Sequence, residues 1–196
     1  MSATALIRRP SSHLDEGIVS HIEREPVDVA RAVEQWEAYG RRRLRTSGWR
    51  TVEVPPADNC PDSVFVEDTM VVFGGTVVIS RPGTPTRQPE TTAAEQTVST
   101  FGYDVHRITA PGTLDGGDVL KVGDIMYVAR GGRTNGEGIR QLRAVFSPLG
   151  VRVIARAADE GLAPEDRRHG PAGRHDHRLA ARPRRPRVLP AFHADA

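Results

Sequence analysis

Cysteine is almost absent from this 196-residue chain, which has Cys60 alone. No internal disulfide can form, and no Cys/His spacing resembles a zinc site, so a structural metal is not expected. Lysine is equally scarce: Lys121 stands against 26 arginines. At the codon level that bias points to a GC-rich gene. No apolar run reaches about 18 residues, and Met1 to Pro10 lacks the apolar core of a cleavable leader, so neither a membrane span nor a secretory signal is expected. The chain reads as cytoplasmic.

What is present suits one well-cored domain, with 38% apolar and 27% charged residues. Charge is unevenly spread. Through Leu162 there are 19 Arg or Lys against 21 Asp or Glu, whereas residues 163–196 carry 8 Arg against 4 acids. A basic tail is one mark of nucleic-acid binding. This tail has no aromatic residue but Phe192 and no apolar periodicity, so neither a stacking platform nor a recognition helix is expected, and no nucleic acid or membrane partner is implied.

Residues 29–47 place Val29, Val33, Trp36, Gly40 and Leu44 three or four apart, with Gly48 as a stop, which predicts an amphipathic helix. Strands are predicted at Ala5 to Ile7, Thr51 to Val54, Val64 to Phe73 and Thr76 to Ser80, the last two joined as a hairpin at Gly74-Gly75. A helix over 89–101 and a strand at Asp104 to Ile108 follow. The order then recurs: Val119 to Val122, a Gly123-Asp124 turn, Ile125 to Ala129, a helix over 136–149 with Ile139, Leu142, Phe146 and Leu149 inward, and Val151 to Ile154. Asp68 and Asp118 lie 50 residues apart. A period of that size predicts an α/β architecture of repeated ββαβ modules, and two and a fraction of them leave a ring incomplete.

Chemistry-bearing residues fall in matching loops of the repeat. Pro61 to Asp68 carries Asp62, Glu67 and Asp68 in an apolar run, where alternate strand side chains would face a cleft and the charges would need a cation. Thr113 to Asp118 carries Asp115 and Asp118. Arginines stand in Ser80-Arg-Pro-Gly83 and Gly132-Arg-Thr-Asn135. Together they suit a small zwitterion with a cationic end: carboxylates fork onto a guanidinium while Arg81 and Arg133 hold an α-carboxylate. Singly, each has a plainer reading. Asp115 to Asp118 is also turn composition, and Asn135 or Thr134 is also a helix cap.

The segments PDSVFVED (61–68), SRPG (80–83), LDGGDVL (114–120) and RTN (133–135), with Arg8-Arg9-Pro10, together resemble the dimethylarginine dimethylaminohydrolases of the arginine-deiminase/amidinotransferase superfamily. The likeness covers roughly residues 5–162. It implies the α/β propeller (pentein) of five ββαβ modules, about three of them present. The implied reaction is hydrolysis of an Nω-methylated arginine to citrulline and methylamine or dimethylamine through a cysteine thiouronium, without a cofactor. By the same resemblance Asp62, Glu67 and Asp68 contact the guanidinium, and Arg81 and Arg133 the α-carboxylate. Leu14 offers its carbonyl to the α-amino group, and Asp115 orients a catalytic histidine. An intact form is a possible homodimer.

The resemblance stops after Leu162. The chemistry needs a thiolate and a histidine acid/base, and the family's Leu-His-Leu-Lys stretch is replaced here by Leu162-Ala-Pro-Glu-Asp166. Leu162-Ala-Pro-Glu-Asp166 can be encoded by codons that read Leu-His-Leu-Lys once one nucleotide after codon 162 is removed, so a single inserted nucleotide would account for the change. Residues 163–196 are therefore expected to be an out-of-frame, disordered tail, and His169, His175, His177 and His193 are not expected to be bases or ligands. His13, His21 and His106 suit structural or surface roles, and Cys60 is misplaced for the nucleophile. The alternatives are an inactive module that binds arginine derivatives, or another guanidino-modifying enzyme such as an arginine deiminase or amidinotransferase.

Overall fold

The computed structural model describes residues 3–19, 25–40, 46–157 and 188–190. The N-terminal unit runs β1 (Thr4–Ile7), α1 (Val29–Ala38) and β2 (Arg50–Glu53), with β2 parallel to β1. In the second, β3 (Met70–Phe73) turns at Gly74, whose φ of 57° suits a tight hairpin, into antiparallel β4 (Thr76–Ile79). Then α2 (Glu90–Ser99) leads to β5 (Asp104–Arg107), parallel to β4. The third repeats this order: β6 (Val119–Val122) and β7 (Ile125–Arg130) are antiparallel about Gly123, and α3 (Gly136–Phe146) leads to β8 (Arg152–Ala157), parallel to β7. The ββαβ period predicted above is present twice. A short β9 (Val188–Pro190) pairs in parallel with β1, so three residues of the segment expected to be disordered are described as strand.

Alternation along β3 and β4 decides how the units stack. Met70, Val72, Val77 and Ile79 face α2 (Ala94, Val98) and reach Leu6 and Val54 of the N-terminal unit. Val71 and Val78, on the opposite face, pack with α3 (Ile139, Leu142, Phe146) and with Met126 and Val128 of β7. Each of these helices is thus wedged between its own sheet and the preceding one. Burying one such side chain stabilises by roughly 1.5–3 kcal/mol, which makes the stack continuous. Among the described residues no helix is long and apolar enough to cross a membrane.

Several boundaries differ from the sequence reading. The expected strand at 64–73 is strand only from Met70, because residues 60–69 close turns through Ser63 N to Cys60 O, Phe65 N to Asp62 O and Asp68 N to Phe65 O. Asp62, Glu67 and Asp68 are therefore presented by consecutive turns, not by strand alternation. Helix α3 ends at Phe146, and Leu149 is 49% exposed instead of inward. The regular part of α1 ends at Ala38, its Val33 and Trp36 only half-buried, and Leu44 lies outside the described residues.

Candidate functional site

Four loops meet above the second and third sheets, and glycines let them touch. A Cβ on Gly116 would run into the Glu67 carbonyl oxygen and come within 3.0 Å of that of Met70. One on Gly83 would lie 2.8 Å from the Arg133 carbonyl oxygen. The segments 61–68, 80–83, 113–118 and 131–135 are brought together, as the repeat register predicts.

The centre is a charged network. Asp68, buried, takes Arg87 Nη1 at 3.0 Å, and Asp115 Oδ2 lies 3.8 Å from the same nitrogen. Arg87 Nε and Nη2 fork onto Glu90 at 3.0 and 2.9 Å, and Nη2 also reaches the Asp62 carbonyl at 3.4 Å. Arg8 is fully buried and donates to the carbonyls of Ser63 (3.3 Å) and Glu90 (3.0 Å). On the other side Arg133 Nε is 3.5 Å from Asp115 Oδ2, and its Nη2 donates to Asp118 Oδ1 at 3.3 Å. Thr134, with no exposure, accepts from Asp115 N (3.0 Å) and donates to Asp118 Oδ2 (2.6 Å).

Burial, reinforced by the charge of Asp68 and a hydrogen bond with it, pushes Asp115 up to about 7, against the opposing pull of Arg133. Asp115 therefore titrates around neutral pH, far above the ordinary carboxylate range. Burial works against the Arg87 guanidinium, but the hydrogen bonds and charges of Glu90 and Asp68 outweigh it and hold Arg87 above its ordinary value. Burial raises Glu90, and Arg87 pulls it back.

The remaining expected residues are placed as follows. Both Asp62 oxygens accept from Ile18 N at 3.2 Å, which ties the N-terminal loop to the site. Leu14 lies in that loop, in a 3₁₀ turn whose carbonyl takes Gly17 N at 3.1 Å. Glu67 is half-buried beside Asp68. Arg81 turns aside: Nη1 donates to the Gly112 carbonyl at 3.2 Å, and its carbonyl accepts from Leu114 N. Asn135 caps α3 by accepting from Gly138 N at 2.8 Å and also holds Thr113 N at 3.1 Å, so the plainer cap reading holds for it. Arg87 and Glu90 were missed by the sequence reading. Their signal is an Arg-Glu pair at i, i+3 around a proline.

A cleft of about 410 Å³ lies beside the network, lined by His13, Glu16, Ile18, Asp62, Arg87 and Glu90 among others. Cys60 is buried, its Sγ 3.6 Å from the Thr86 carbonyl, and burial pushes its thiol up, the opposite of what activates a nucleophile. His13 and His106 form surface pairs with Glu16 and Asp104. His21 and the four tail histidines lie outside the described residues. Among the described residues no His, Cys, Asp or Glu group is arranged to hold a metal ion.

No family model matches the chain. It is, however, 57% identical over 154 residues to an N(G),N(G)-dimethylarginine dimethylaminohydrolase of Streptomyces coelicolor, covering 79% of this chain and 59% of the relative. A Pseudomonas aeruginosa protein of the same name is 40% identical over 147 residues, 74% of this chain and 57% of the relative. The chain belongs to the dimethylarginine dimethylaminohydrolase family. The solved Pseudomonas aeruginosa enzyme complexed with citrulline superposes with a TM-score of 0.75 at 36% identity, over 83% of this chain and 64% of that one. An arginine dihydrolase from cyanobacteria shares the fold alone, at 21% identity and a TM-score of 0.67. The pentein architecture of dimethylarginine dimethylaminohydrolases is thus that of this chain, which spans somewhat under two thirds of the length of those relatives.

Proposed function

We infer that the intact protein hydrolyses Nω-methylated arginine to citrulline and an amine, and that residues 5–162 are its binding half. The observation carrying this reading is the convergence of loops 61–68, 113–118 and 131–135 on Asp68 and Asp115, with loop 80–83 packed against the last two. Asp62, Glu67 and Asp68 take the guanidinium. Leu14 presents its carbonyl to the α-amino group, and Asp115 orients a histidine that the out-of-frame segment after Leu162 no longer encodes. With Arg133, Arg87 serves the α-carboxylate better than Arg81 does, because Arg87 lines the cleft and Arg81 does not. Among the described residues no thiolate and histidine stand ready to complete turnover, and the chain acts as a weak arginine-derivative binder from a cytoplasmic protein.

Titration calorimetry with Nω,Nω-dimethylarginine tests the binding half. Weak saturable binding that Asp68→Asn abolishes supports it. Binding unaffected by that substitution contradicts it, and submicromolar affinity contradicts the incomplete site.

A further inference from the structure

We propose that Glu90 is a positioning residue: it fixes the plane of the Arg87 guanidinium so that only the Nη1 edge is left for Asp68, Asp115 and a bound carboxylate. Glu90 has 1% exposure yet carries no part of the guanidinium site assigned above. Its two oxygens occupy Nε and Nη2 of Arg87 in one fork, at 3.0 and 2.9 Å. Two parallel N–H to oxygen bonds determine orientation as well as attraction. The fork is itself anchored. The Glu90 carbonyl takes Arg8 Nη2 at 3.0 Å, and Arg8 also holds the Ser63 carbonyl beside Asp62. Nη1 is left 3.0 Å from Asp68 and 3.8 Å from Asp115 Oδ2.

The charged groups around this centre are Arg8, Asp62 and Cys60 near Glu90, and Asp68, Asp118 and Arg133 near Asp115. Loss of a negative charge at position 90 and loss of the fork act in opposite directions on Asp115. Removing the charge alone strengthens the field of Arg87 and lowers the Asp115 titration midpoint. Releasing Arg87 takes the cation from Asp68 and leaves Asp115 with Arg133 alone, which raises that midpoint. The role of Arg87 toward a ligand carboxylate rests on the function proposed above, whereas the Asp115 titration is read without ligand, so the two claims fail separately.

Carboxyl carbon NMR of the whole chain, with Asp115→Asn to assign the signal, reads this directly. In Glu90→Gln, which keeps one prong and turns a donor toward the other, the Asp115 midpoint is expected to rise by about 1 unit, the scale set by an opposite charge within ~4–6 Å. Glu90→Asp, which keeps the charge but falls short of the fork, should raise it too. A fall in Glu90→Gln with no change in Glu90→Asp overturns the proposal. Where the variants do not fold, the unsubstituted chain decides: a slowly exchanging Arg87 Nε–H supports the fork, and a freely exchanging one contradicts it.

Discussion

Burial and the neighbouring charge of Asp68 hold the Asp115 carboxyl well above the ordinary carboxylate range, and the sign of that effect on stability is measurable. The folded carboxyl keeps its proton up to about 7, whereas the unfolded one releases it near 3.8. Between those values the unfolded state binds fewer protons, so this group lowers stability as pH rises through that window and adds nothing further above or below it. Asp115→Asn keeps an oxygen for Gly117 N, which Asp115 Oδ1 accepts at 3.0 Å. Its stability relative to the parent should therefore climb from pH ~4 to ~7 by as much as about 1.4 kcal/mol per unit. Urea unfolding across that range checks this; a pH-independent difference contradicts it. The acids and Arg133 were legible in the sequence because they sit in motif loops. Arg87 was not, since its importance comes from Asp68 and Asp115, 19 residues before and 28 after it, which only the folded chain brings together.

Loops and helices show where local preference yields to close approach. Gly138 lies inside α3, where alanine would ordinarily stabilise by ~1 kcal/mol. A Cβ there runs into the Thr113 backbone. Gly138→Ala is expected to destabilise by roughly 1–3 kcal/mol, as overpacking does, and a stabilised variant would show that the 113–118 loop gives way. Asn135→Ala removes the cap of α3 and the tie to Thr113, with an expected loss of ~1–2 kcal/mol by denaturant unfolding; no loss would mean that Thr134 alone secures the loop. The helices over 89–101 and 136–149 and both hairpins were legible from periodicity and glycine placement. The strand at 64–73 was misread because its apolar residues fit a period of two, while the turn bonds of 60–69 leave no trace in that pattern.

At the scale of the whole molecule, the 50-residue period and the stacked sheets follow from one pattern: strands buried on both faces need a helix on either side. Apolar side chains remain uncovered near the N-terminal loop and the site, with Ile18 53%, Val27 44% and Phe65 39% exposed. Such surface favours association. Light scattering should show concentration-dependent self-association of the purified chain, and a monodisperse monomer at high concentration contradicts it. The central claim is tested most directly by citrulline formation from Nω,Nω-dimethylarginine, comparing this chain with the product of the same gene lacking one nucleotide after codon 162. The account predicts no turnover by the former and turnover by the latter that Asp68→Asn abolishes. Citrulline from the chain as it stands, or none from the frame-restored product, would contradict it.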